Sequence, residues 1–124
     1  MLLAAKTPRN MILVSDGTSA TGMPDGKYRL GTLEVTASGG VARGADGQLA
    51  GSTLSLDRAL RNMVALGVPF TDALAMLTEN PARLLGLEMR KGLLAPGADA
   101  DLVFLDAQMD VAGVMTRGQG WFKN

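Results

Sequence analysis

The predicted fold depends on the stretch Met11-Ile12-Leu13-Val14-Ser15-Asp16-Gly17. Its first four residues form a continuous apolar run, which is typical of a strand buried on both faces of a parallel sheet. Residues 17–26 contain three glycines and a proline without periodicity, so they predict a loop that leaves the carboxyl end of that strand. Asp16 therefore stands where barrel enzymes place catalytic groups. An Asp before a Gly is also typical of an Asx turn, and position alone favours the turn.

Downstream of this loop, the sequence predicts a β-hairpin followed by helices. Alternation of apolar and polar residues over residues 33–37 indicates a half-buried strand, and residues 41–43 can return after a turn. We expect three helices after the hairpin: one capped by Ser52 or Thr53 and ended by Gly67, one capped by Thr71, and one that begins at Asn80-Pro81 and stops at Gly86.

The C-terminal part of the chain changes to extended segments. We predict strands at residues 101–106 and 111–116, with a further extended piece at Trp121-Phe122. A parallel strand needs neighbours, and the first strand has no βαβ partner within the chain. The sequence therefore indicates that a partner of the first strand is missing.

The composition excludes several classes of function. Hydrophobic residues make up 47% of the 124 residues and charged residues 19%, which permits a globular core. Twelve basic and twelve acidic side chains cancel, so we expect neither nucleic acid nor a membrane surface as a partner. No apolar run approaches the roughly 20 residues that span a bilayer. The absence of Cys and His excludes disulfides, His-based catalytic triads and His-based zinc sites within this chain, and we expect a cytoplasmic protein.

Two motif matches fail on inspection of their neighbouring residues. Gly17 and Gly22 have the spacing of a phosphate-binding P-loop, but Met23-Pro24 stand where that motif needs Lys followed by Ser or Thr. Asp99 and Asp101 suggest a calcium loop, but the closing Glu and the sixth-position Gly are absent. A polar turn that leads into a strand is the better interpretation of these two carboxylates.

Four segments resemble those of a known enzyme family. Residues 13–18 (LVSDGT), with Gly22, resemble a strand end of the N-acetylglucosamine-6-phosphate deacetylases, and residues 49–54 (LAGSTL) resemble the element before their next helix. Residues 80–87 (NPARLLGL) and 91–102 (KGLLAPGADADL) resemble the C-terminal signature of the wider amidohydrolase superfamily. Together the resemblance covers nearly the whole chain.

The resemblance implies an α/β fold: a C-terminal fragment of a (β/α)8 metal-dependent amidohydrolase barrel plus the C-terminal strands of its small β-sandwich. Residues 1–90 would contain the last barrel strand, the hairpin and the helices, and residues 91–124 would belong to the sandwich. A complete barrel takes about 250 residues. The chain would therefore be the C-terminal portion of a deacetylase and inactive alone.

The resemblance also implies roles for particular residues. Asp16 corresponds to the catalytic general acid/base, and Leu49, Ala50 and Gly51 match a substrate-contacting element. A loop before a helix explains these three residues about equally well. A divalent metal (Zn or similar) is implied for the complete enzyme, with its ligands upstream and none in this chain. The implied partners are an amino-sugar phosphate substrate and either a second copy of the chain or the missing N-terminal part.

Two alternatives stay open at the level of the sequence. The chain could be a non-catalytic module that oligomerises to cover its unpaired strand. It could also belong to an amidohydrolase that cleaves another cyclic or acyl amide.

Overall fold

The computed structural model describes residues 5–122. They form two compact units, one from residues 14–59 and the other from residues 5–13 together with residues 60–122. Each unit contains an antiparallel sheet whose strands are neighbours in sequence.

The first unit contains a four-stranded meander. Its strands are β1 (Gly26–Leu30), β2 (Leu33–Ser38), β3 (Val41–Gly44) and β4 (Leu49–Ser52), in the sheet order β1-β2-β3-β4. The predicted hairpin is confirmed: β2 pairs with β3, and the two glycines between them both have positive φ, as a type I′ turn requires. Alternate residues of β2 and β3 are buried, with Val35, Ala37 and Ala42 each at most 2% exposed.

The second unit combines helices with a three-stranded sheet. Helix α1 (Leu56–Ala65) begins in the first unit and continues into the second, where α2 (Phe70–Ala75) and α3 (Glu79–Leu84) follow. The strands are β5 (Leu102–Leu105), β6 (Val111–Thr116) and β7 (Gln119–Phe122), which confirms the three C-terminal extended segments. The core of this unit consists of Leu60, Val68, Ala73 and Met76.

The prediction of a strand over residues 11–14 is wrong for this chain. Their backbone is not part of any strand, and alternate side chains point outward, with Ile12 36% and Val14 75% exposed. Met11 and Leu13 pack against the core of the second unit, and Leu13 N donates to Met76 O at 3.1 Å. A strand needs a continuous hydrogen-bonded neighbour, and within residues 5–122 no strand pairs with this segment.

The helix ends were predicted better than the helix starts. Gly67 and Gly86 both have positive φ and follow the last turns of α1 and α3, with the paired backbone hydrogen bonds of a Schellman motif. The predicted N-caps are wrong. Ser52 belongs to β4, and Thr53 lies three residues before the start of α1. Thr71 lies inside α2 behind Pro69, and Asn80 lies inside α3.

Candidate functional site

Asp16 occupies an exposed position with an unusual backbone conformation. Its φ is +49°, in the left-handed region that Asp adopts more readily than most residues. Within residues 5–122, no hydrogen bond or salt bridge reaches its carboxylate. The Asx turn is therefore not formed; instead Gly17 N donates to the Ser15 hydroxyl at 3.2 Å. The carboxylate is left accessible to a ligand.

The end of β4 holds the backbone on both sides of Asp16. Ser52 N donates to Asp16 O at 2.8 Å, and Thr18 N donates to Ser52 O at 2.9 Å. The Ser52 hydroxyl donates to Ser15 O. These bonds form an isolated parallel bridge between Gly17 and Ser52, so Asp16 lies at a fixed point rather than on a free loop.

Gly51 contacts the Asp16 backbone closely enough to exclude any side chain. A Cβ at position 51 would lie 2.8 Å from Asp16 O and 2.8 Å from the methyl carbon of Thr18. The φ of Gly51 is +130°, which residues with a side chain rarely adopt. Two separate segments of the predicted site, residues 13–18 and 49–54, therefore meet at this glycine.

The other two predicted substrate-contacting residues lie further along the same strand. Leu49 is 67% exposed and Ala50 is half-buried in β4. The structure brings Gly51 to Asp16, and the contact of all three residues with a substrate stays a prediction. Sequence patterns assigned Ser52 as a possible helix cap and missed its bonds to the residues around Asp16. The one sequence signal for this role was its position directly after Leu49-Ala50-Gly51.

Asn80 and Arg83 bind the segment that leads toward Asp16. Asn80 is 4% exposed, and its amide donates to Pro8 O at 2.8 Å and to Met11 O at 2.6 Å. Arg83 donates to Asn80 Oδ1 at 2.8 Å and to Arg9 O at 2.6 Å. The NPAR sequence thus supplies side-chain donors to the backbone carbonyls of a short 3-10 helix (Pro8–Asn10) and of Met11 at its end.

The second superfamily segment forms an ion cluster before β5. Lys91 contacts both Asp99, at 2.9 Å, and Asp101, while Arg90 lies 3.0 Å from Asp99. The hydrogen bonds that Lys91 donates hold the pKa of each carboxyl below its ordinary value. The same bonds, first to Asp101 and then to Asp99, raise the pKa of Lys91. Asp101 also accepts from Arg117 N at 2.8 Å. This arrangement supports the polar turn predicted for these carboxylates.

The described residues do not fit a metal ion on their own. Between residues 5 and 122, no group of three or more His, Cys, Asp or Glu side chains could hold a metal. Asp16 is the one carboxylate placed at the site described above, and a single carboxylate is too few ligands for a divalent cation.

No helix among the described residues is long and apolar enough to cross a membrane.

The sequence profile described as "Amidohydrolase family" matches residues 16–120, which include Asp16, Gly51 and both superfamily segments. The chain belongs to the amidohydrolase family.

Within this family, the chain is similar to deacetylases of amino-sugar phosphates. An N-acetylgalactosamine-6-phosphate deacetylase from Escherichia coli O157:H7 is 47% identical over 110 residues, which are 88% of this chain and 29% of that protein. The crystal structure of N-acetylglucosamine-6-phosphate deacetylase from Thermotoga maritima matches with a TM-score of 0.89 and 35% identity, covering 99% of this chain and 34% of that chain.

A third similar protein was crystallised with a sugar phosphate. It is an aspartate-to-alanine mutant of N-acetyl-D-glucosamine-6-phosphate deacetylase from Mycobacterium smegmatis, in complex with N-acetyl-D-glucosamine-6-phosphate. The TM-score is 0.82 and the identity 42%, covering 96% of this chain and 32% of that chain. The present chain thus spans about a third or less of the length of these three proteins.

Proposed function

We propose that this chain is the C-terminal portion of an N-acetylglucosamine-6-phosphate deacetylase and carries its general acid/base, Asp16. One observation carries the proposal: the end of β4 at Gly51-Ser52 holds the left-handed backbone of Asp16, whose carboxylate is unpaired among residues 5–122. Both segments of this contact lie within the family match. Non-glycine residues with positive φ are uncommon and concentrate at functional sites.

The proposed reaction is hydrolysis of the acetamide of an amino-sugar phosphate. The Asp16 carboxylate accepts a proton from water as the water oxygen bonds to the acetamide carbonyl carbon. The protonated Asp16 then donates that proton to the sugar nitrogen as the carbon–nitrogen bond breaks. This releases the free amine and acetic acid, which ionises to acetate in water. Proton transfer by a positioned side chain contributes roughly 100-fold to 10,000-fold to such a rate.

The architecture proposed for the complete enzyme explains the unpaired segment at residues 11–14. That segment would be the last strand of a (β/α)8 barrel, and its neighbours would come from outside this chain. Residues 1–90 would complete the barrel and residues 91–124 the small β-sandwich. The exposed side chains of Ile12 and Val14 support this proposal, because a barrel strand buries both of its faces.

The remaining parts of the site are proposed on the same basis. Leu49, Ala50 and Gly51 would contact the substrate, with Gly51 offering only backbone atoms. A divalent metal, if it acts in the complete enzyme, would be held by residues outside this chain. A chain that needs the rest of the barrel is expected to be inactive alone, and we place the complete enzyme in the cytoplasm.

The proposal is tested in a chimeric enzyme, in which this chain replaces the segment that it matches in the Mycobacterium smegmatis deacetylase. We expect the chimeric enzyme to release acetate from N-acetylglucosamine-6-phosphate and this chain alone to release none. N-acetylgalactosamine-6-phosphate and an N-acetylated amino acid serve as competing substrates. A folded chimeric enzyme that acts only on the amino acid would favour another acyl-amide hydrolase, and one that acts on none of the three would contradict the proposal.

A further inference from the structure

The direction of the Asp16 side chain depends on the backbone conformation at that residue. Its φ of +49° places the Cα–Cβ bond differently from the extended conformation of the residues before it. The left-handed region is less favourable than the extended region for any L-residue, Asp included, so contacts with the surroundings stabilise it there. A group that holds the flanking peptides therefore also aims the carboxylate.

Ser52 is the residue that binds these flanking peptides. Its N–H donates to Asp16 O at 2.8 Å, and its carbonyl accepts from Thr18 N at 2.9 Å and from the Thr18 hydroxyl at 3.2 Å. Its hydroxyl donates to Ser15 O and accepts from Leu54 N at 3.0 Å. The Leu54 contact orients the hydroxyl, since it occupies a lone pair and leaves the proton for Ser15 O.

We propose that Ser52 is a positioning residue, which fixes the left-handed backbone of Asp16 and so aims its carboxylate at the reacting acetamide. The catalytic part of this inference rests on the proposed function; the structural part does not. Gly51 allows the arrangement, because a Cβ there would collide with Asp16 O. Ser52 itself acts only through Asp16 and touches no reacting atom.

The kinetic test compares Ser52→Ala with Ser52→Thr in the chimeric enzyme. Loss of the hydroxyl is expected to lower kcat about 10-fold to 100-fold, since small misplacements of a catalytic group have effects of this size. KM is expected to change less than about twofold, because ground-state binding is not altered. Ser52→Thr keeps the hydroxyl and should restore most of kcat. Ser38→Ala, at an exposed strand end, is the matched control and should leave kcat unchanged.

A double-mutant cycle separates positioning from a general structural role. If Ser52 acts through Asp16, then Ser52→Ala should change the residual rate of an Asp16→Asn enzyme by less than about twofold. A loss of kcat in that background equal to the loss in the parent enzyme would overturn the inference. An unchanged kcat for Ser52→Ala in the parent enzyme would also overturn it.

A second measurement keeps this inference distinct from the proposed function. In the isolated chain, Ser52→Ala should speed hydrogen exchange at the amides of residues 18 and 52 by about 5-fold to 10-fold, the effect of losing one net hydrogen bond. Ser52→Thr should not. Unchanged exchange in Ser52→Ala would refute the structural part, even if Asp16 proves catalytic. Faster exchange together with full turnover in Asp16→Asn would instead refute the proposed function alone.

Discussion

The Asp16→Asn chimeric enzyme is expected to hydrolyse N-acetylglucosamine-6-phosphate with a kcat lower by roughly 100-fold to 10,000-fold, the contribution of one general acid/base. The amide of asparagine has nearly the same shape as the carboxylate but cannot accept the proton from water. The backbone contacts of Asp16 with Ser52 do not involve the carboxylate, so the fold should be retained. Initial rates of acetate release and circular dichroism measure these two effects.

Two controls make the Asp16 result specific. Glu88→Gln removes an exposed carboxylate elsewhere in the chain and should leave kcat unchanged. The metal content of the purified enzyme should also be retained in Asp16→Asn, because the proposed metal ligands lie outside this chain. Near-normal turnover in Asp16→Asn would remove this residue from the proton-transfer role.

The Asn80→Asp substitution is expected to have the largest effect on stability. The amide nitrogen of Asn80 donates to two carbonyl oxygens, at 2.8 and 2.6 Å, and a carboxylate in its place would present an acceptor to both. Loss of both bonds and burial of an acceptor should lower the free energy of unfolding by about 2–4 kcal/mol at pH 7. Attraction to the Arg83 guanidinium, which lies 2.8 Å from Asn80 Oδ1, would offset only part of this loss.

The pH dependence of Asn80→Asp follows from the same contacts. The carbonyl oxygens and burial disfavour the charged carboxylate, so its pKa should be raised. Above its raised folded-state pKa, the new carboxyl is charged and destabilises the folded chain by the whole amount. As the pH falls below that pKa, the carboxyl is protonated and the destabilisation decreases. Urea unfolding of the chain at pH 7 and at pH 5 measures the difference. Asn62→Asp, on the exposed side of α1, should change stability by less than about 0.5 kcal/mol; equal effects at the two positions would contradict the role assigned to Asn80.

Local sequence patterns predicted those elements whose hydrogen bonds stay close in sequence. The β2–β3 hairpin followed from alternation and two adjacent glycines, and the ends of α1 and α3 followed from Gly67 and Gly86. Residues 11–14 had the apolar pattern of a buried strand, but a strand also requires a partner, which a local pattern does not reveal. The three C-terminal extended segments were also predicted, and each pairs with its neighbour in sequence.

Local sequence patterns could not predict the contacts that define the candidate site. Ser52 and Asn80 both have side chains that favour helix caps, yet their bonds join segments 37 and 69–72 residues away. Such tertiary contacts override local propensity. Asp16 was identified by its resemblance to a family segment, whereas its left-handed backbone and its contact with Gly51 required the structure.

Hydrogen exchange at the amides of Ile12 and Val14 tests most directly whether residues 11–14 pair with barrel strands that lie outside this chain. Neither amide has a hydrogen-bond acceptor among residues 5–122, so in the isolated chain both should exchange within about tenfold of an unstructured peptide. In the chimeric enzyme both should be protected by more than about 100-fold, because neighbouring barrel strands would supply acceptors. Protection already present in the isolated chain, or continued fast exchange in a catalytically active chimeric enzyme, would contradict the assignment of this segment to a barrel.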